Sequence, residues 1–229
     1  MNRLLRILLW IGVAASLCSA SLKAGSAYSL DDLQSMQLLN TRAEKVTYRG
    51  RPAVQLLPPK GQENSDESML AIVPGPDFKN GTIEVELAGA PRAGVPPNMR
   101  GFIGIAFRVQ ANADHFECFY LRPANGRADD QLQRNHSLQY VSEPDFGWQR
   151  LRQENPGVYE SYSDLETGAW TKVKIVVAGA KAQLYVNGAD QPSLIVNDLK
   201  LGDSHGQIAL WSHTTTEGYF SNLSVKPAP

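Results

Sequence analysis

The chain has 229 residues, 42% hydrophobic, 20% charged and 8% aromatic, with a formal net charge of −1. That balance fits an ordinary globular protein. It excludes a highly charged disordered chain and offers no basic surplus for nucleic acid or an anionic membrane surface.

The chain opens with "MNRLLR", a positive n-region, then "ILLWIGVAASL", an apolar run too short to span a bilayer comfortably, then the small-residue site "CSA". This is the pattern of a secretory signal peptide, expected over residues 1–20 with 27 as the alternative end. The order "ASLC" lacks the leucine and small-residue arrangement expected before a lipid-carrying cysteine. The expectation is therefore a secreted or periplasmic protein with no membrane attachment after cleavage. Losing Arg3 and Arg6 leaves the mature chain two charges more acidic. Cys118 is then the remaining cysteine, so no intrachain disulfide is expected and packing alone must stabilise the fold. Within its apolar run Cys118 reads as a small buried hydrophobe.

Residues 28–229 read as one all-β domain. The first element is a short helix over "SLDDLQSMQLL", with Ser29 and Asp32 spaced as a capping box. "KVTYRGRPAVQLLP" predicts two short strands about Gly50-Arg51. In "PDFKNGTIEVELAGA", Asn80-Gly81 is turn chemistry, and Ile83, Val85 and Leu87 then alternate with polar residues. "GFIGIAFRVQ" and "HFECFYLRP" form a hairpin across "ANAD". "WTKVKIVVAGAKAQLYVNGADQPSLIV" gives three strands, and "GQIALWSH" and "YFSNLSVKP" close the chain. The fold class is an antiparallel two-sheet β-sandwich with one long ordered insertion loop.

Alternation assigns the faces. If Phe119 and Leu121 fill the core, Cys118, Tyr120 and Arg122 face the other way. With Ile208 and Leu210 inward, Trp211 and His213 share that outer face, and Arg108 falls opposite Phe107. Aromatic rings beside planar hydrogen-bonding groups suit a sugar, whose C–H face stacks on a ring while its hydroxyls need donors and acceptors. The stretch from Glu117 to Glu160 adds to this. Between Lys79 and Lys172 there is no lysine, yet Arg92, Arg100, Arg108, Arg122, Arg127, Arg134, Arg150 and Arg152 lie in that span. Arginine alone is expected where a rigid fork of donors grips a ligand or orders a long loop. The stretch is read as a rim, ordered by Arg–acid pairs and Trp148, that brings Arg150, Arg152, Tyr159 and Glu160 towards the groove. Gln139 completes the candidate ligand-binding set of Arg108, Tyr120, Arg122, Trp148, Arg152, Trp211 and His213.

The succession "DFKNGTIEVEL", "GFIGIAFRV…FYLRP", "WTKVKIVVAGAKAQLYVNG", "GQIALWSH" and "YFSNLSV" resembles the concanavalin A-like lectin/glucanase superfamily. Within it the chain looks most like laminin-G-like jelly rolls and the bacterial domain associated with hydrolysis of 3-keto-disaccharides. The resemblance implies a jelly roll whose concave sheet, formed in part by "GFIGIAFRV", "HFECFYLRP" and "GQIALWSH", binds a carbohydrate or glycoside, with the stretch from Pro123 to Tyr162 arching over it. The E-x-D-x-x-E strand of the superfamily's glucanases is absent, so a retaining glucanase is not expected. Glycoside cleavage would instead rest on loop carboxylates, with Glu160 and Glu143 the candidate catalytic pair. An adhesion or scaffold role without a sugar ligand is the third reading. No cofactor is expected. The scattered histidines make no metal motif, and a structural calcium site on Asp129, Asp130 or Asp198 is compatible with the fold without being legible in it.

Overall fold

The computed structural model describes residues 28–63 and 65–228; the expected signal peptide lies outside the described residues. Fourteen strands follow in order: β1 (Gln37–Leu39), β2 (Arg42–Tyr48), β3 (Arg51–Leu57), β4 (Ser68–Phe78), β5 (Gly81–Pro91), β6 (Ile103–Val109), β7 (Phe116–Leu121), β8 (Leu138–Glu143), β9 (Glu160–Ser161), β10 (Thr171–Ala178), β11 (Lys181–Val186), β12 (Leu194–Val196), β13 (Gly206–His213) and β14 (Thr216–Pro227). Two short helices, α1 (Gln131–Asn135) and α2 (Trp148–Glu154), flank β8.

The strands form two seven-stranded antiparallel sheets. One runs β1-β4-β13-β6-β7-β8-β9, the other β12-β11-β10-β5-β14-β3-β2. The core lies between them because the alternation demands it. Ile83 and Val85 of β5 stand opposite Ile175 and Val173 of β10, and all four are buried. From the first sheet, Ile105, Phe107, Phe119, Leu121 and Leu210 meet them. Each such side chain contributes about 1.5–3 kcal/mol by leaving water. No helix among the described residues is long and apolar enough to cross a membrane.

Two expectations change. The N-terminal helix shrinks to a single 3-10 turn, Leu33–Ser35, capped by Asp32, whose side chain accepts from the Gln34 N–H at 3.1 Å. Ser29 accepts instead from the Asp31 N–H. The following residues are taken by β1, which pairs with β4, and ladder pairing outweighs a weak helix propensity. The long stretch is ordered, but it is not one loop. Its centre is β8, which pairs with β7 over six residues and extends the concave sheet. Polar Gln139 and Ser142 hide that alternation in the sequence, although both are buried.

Candidate functional site

The concave face of the β6-containing sheet carries a groove of about 710 Å³. Register builds its floor. Trp211 on β13 lies opposite Gly104 on β6, Gly104 opposite Tyr120 on β7, Tyr120 opposite Gln139 on β8, and Gln139 opposite Glu160 on β9. Trp211 and Tyr120 are therefore two strands apart, roughly 10 Å at the backbone. Their rings nonetheless stack, with centroids 4.8 Å apart and planes 27° apart. Gly104 permits this, since a Cβ there would come within 2.7 Å of the Tyr120 Cβ. Phe102 meets Tyr120 edge-on at 6.1 Å and His213 at 5.5 Å, extending the aromatic slab. Burial pushes the Tyr120 hydroxyl up to about 12. Trp211 is 6% exposed, and its indole N–H is buried without a hydrogen-bond partner among the described residues.

At one end of the slab stands Arg122. Its guanidinium donates to the Tyr120 hydroxyl at 2.9 Å, to Gln139 Oε1 at 3.1 Å, to the His136 carbonyl at 3.0 Å and to Glu160 Oε1 at 3.3 Å. Glu160 also receives both arms of Arg152, with Nε at 2.9 Å from Oε2, while His136 Nε2 approaches Oε2 at 3.5 Å. The Glu160 side chain is 3% exposed, so this buried carboxylate has the several donors its desolvation requires. Trp148, at the start of α2, is flanked by both guanidinia, Arg122 at 5.7 Å and Arg152 at 4.6 Å from the ring centroid. Arg152 thus fastens α2 to the sheet as the groove's wall. Burial holds the His136 imidazole below its ordinary pKa, against the pull of Glu160.

The far wall is His213, with Nδ1 2.8 Å from Thr215 Oγ1 and Nε2 3.1 Å from Asp66 Oδ1. Burial lowers its pKa although Asp66 acts the other way, which favours the neutral ring. Glu143 lies further along β8 and faces the groove. Its carboxyl has no hydrogen-bond or ion-pair partner among the described residues, and burial alone raises its pKa.

Of the residues singled out in the sequence, Tyr120, Arg122, Trp148, Arg152, Trp211, His213 and Glu143 line this groove, and Gln139 and Glu160 lie beneath it. Arg108 lies elsewhere. A bulge between β6 and β13 gives it a φ of 52°, and it is fully buried, donating to the carbonyls of Lys79, Gly179 and Gly202. Arg150 pairs with Glu154, and Tyr159 with Asp198 and Lys200. Sequence reasoning passed over Gly104, Phe102 and Asp66. Only Phe102 carried a signal, as an aromatic next to the β6 alternation. No cluster of three or more His, Cys, Asp or Glu suited to a metal occurs among the described residues.

No protein-family model matches the chain, and no curated protein matches it. Solved structures do. The carbohydrate binding module CBM66 from Bacillus subtilis superposes with a TM-score of 0.57 at 14% identity, covering 83% of this chain and 94% of that one. A Bacillus subtilis protein of unknown function with a galectin-like fold gives 0.55 at 9% identity, over 86% and 91%. The exoplasmic/lumenal domain of VIP36, in its Ca2+/Man-bound form, gives 0.55 at 8% identity, over 84% and 83%. The fold is a two-sheet antiparallel β-sandwich of the jelly-roll kind. Identities this low establish the jelly roll alone, so the site must speak for the chemistry. An aromatic slab, a spare indole donor, a partnered guanidinium and a partnerless carboxyl, gathered in one groove, suit a ligand that is flat, partly apolar and rich in hydroxyls.

Proposed function

We propose that the protein is a secreted or periplasmic carbohydrate-binding jelly roll that holds a glycan or glycoside in the concave groove. The observation that carries this reading is the Tyr120–Trp211 slab with its buried, unpartnered indole N–H. A buried donor with no acceptor costs about 1–3 kcal/mol, and a ligand oxygen that meets it in the indole plane, as the side chains around it part, relieves that cost while the sugar's C–H face covers the slab. Carbohydrate-binding proteins among the structural neighbours support the reading at the level of the fold. The signal-type N-terminus supports the compartment.

The test is calorimetric titration of a neutral, amino and uronic oligosaccharide panel into the wild type and Trp211→Phe. The variant keeps a ring and removes the N–H. Binding weakened by about tenfold, the loss of one net hydrogen bond, supports the slab; unchanged affinity for every sugar bound sinks it.

A second reading is glycoside cleavage of the 3-keto-disaccharide type. Glu143 favours it, because it has no protein partner and burial raises its pKa, the direction a general acid needs. Glu160 has both oxygens engaged by Arg152 and presents neither to a ligand in the groove. Loss of product release from 3-keto-glycosides in Glu143→Gln, with binding retained, is the expected result on this reading; no product from the wild type excludes it.

A further inference from the structure

Nearly every charged side chain of the groove has a polar partner within the protein. Arg122 and Arg152 share Glu160, Asp66 pairs with His213, and Asp130 accepts from the Gln133 N–H. Arg100 donates to the Pro97 carbonyl. Glu143 stands outside this set, with no cation and no donor facing it. With Glu143 ionised and the histidines neutral, three arginines confront four carboxylates, so the groove carries one net negative charge, and Glu143 is the carboxylate without a polar partner.

We propose that the groove selects an amine-bearing glycan, whose ammonium group seats against Glu143 while its ring rests on Tyr120 and Trp211. This rests on the sugar-binding reading above and specifies its ligand class. The physical argument is one of compensation. A half-buried carboxyl without a protein partner is costly to ionise, and an incoming ammonium supplies the missing countercharge at short range and in reduced dielectric. The same ammonium neutralises the groove as a whole. A uronate would bring a further negative charge, and at the other end Arg122 and Arg152 are already committed to Glu160. The unpartnered indole N–H independently asks for an acceptor, which a hydroxyl or ring oxygen of the same ligand provides. A sugar carrying hydroxyls and one free amine satisfies both orphaned groups, and a neutral sugar satisfies the indole better than it satisfies the carboxyl.

The test compares four probes on the whole protein by calorimetry at low salt: a β-linked glucosamine tetramer, its fully N-acetylated form, cellotetraose and tetragalacturonate. A lysine-rich peptide is the fifth probe. The free-amine tetramer is expected to bind about tenfold tighter than the acetylated and neutral tetramers, as a close charge pair allows. In Glu143→Gln that ratio should fall to about one, the variant's fold being checked by circular dichroism. The comparison among ligands on the wild type stands even if the variant does not fold. Equal or tighter binding of the neutral sugars or of the uronate overturns the amine proposal and leaves the slab intact. Capture of the peptide with no sugar bound overturns both.

Discussion

At the scale of single residues, the groove shows how partners, more than residue type, define a role. Glu160 and Glu143 look alike in the sequence, two acids in an arginine-rich stretch. Folding gives Glu160 two guanidinia and gives Glu143 none. Nothing in the spacing announces this, because the distinction arises from β9 and α2 closing over one end of β8. It does have a thermodynamic signature. A carboxyl whose folded pKa is raised binds its proton more tightly when folded, so its relative stabilisation is present below the unfolded value of 4.5 and is lost as pH rises through the folded value. Asp66, Arg100, Arg122, Asp130, His136, Arg152 and His213 share the groove, but burial is the cause that moves Glu143. Glu143→Gln, which cannot ionise, should therefore melt higher than wild type at pH 7, by about 1 kcal/mol or less given its partial exposure. The gain should vanish below pH 4. Melting curves across that range decide the matter, and a variant less stable than wild type at pH 7 would show that Glu143 has a favourable partner.

At the scale of elements, alternation was a reliable guide wherever a strand obeyed it. β7 and β13 turn Tyr120, Arg122, Trp211 and His213 to one face, as period-two reading of "HFECFYLRP" and "GQIALWSH" expects. It failed where the ladder is irregular or the burial is polar. The β6 bulge carries Arg108 away from the concave face to tie three connections together, and no residue pattern marks that turn. β8 was hidden by buried polar residues on both faces, Gln139 beneath the groove and Ser142 towards the core, and α2, seven residues long with no side-chain cap, is too short for a 3.6-residue period to register. Gly104 illustrates the cost of a gap that only pairing reveals. Its hypothetical Cβ would sit 2.6 Å from the Tyr120 Cα and would also meet the Phe119 carbonyl. Gly104→Ala should destabilise the protein by about 1–3 kcal/mol, as overpacking does, and should separate the Tyr120 and Trp211 rings. Urea unfolding measures the first effect and tryptophan fluorescence the second. An alanine variant with native stability and an unchanged emission spectrum would show that the two strands part easily, and that the slab is less fixed than its geometry implies.

At the scale of the whole molecule, packing and ladders do most of the work of holding the sandwich together, and its groove has a sealed floor. One row of that floor is Ala209, Ala106, Cys118 and Val141, in register across β13, β6, β7 and β8. Cys118 faces the groove side, but it is fully buried, with its thiol pKa driven up by burial. It is the free cysteine of the described residues. A thiol reagent must therefore wait for the sheet to open, since a buried, protonated thiol is neither reachable nor nucleophilic. For protein produced from Tyr28 onward, labelling of Cys118 should be slower than in the urea-unfolded chain by about a thousandfold or more, the factor set by the population of open molecules. The melting temperature should be the same with and without reductant. A saturating glycan should slow labelling further, because it stabilises the closed state by mass action. Fast labelling at full native stability would mean that the concave floor opens locally, apart from global unfolding, and that ligand entry proceeds through a sheet which breathes.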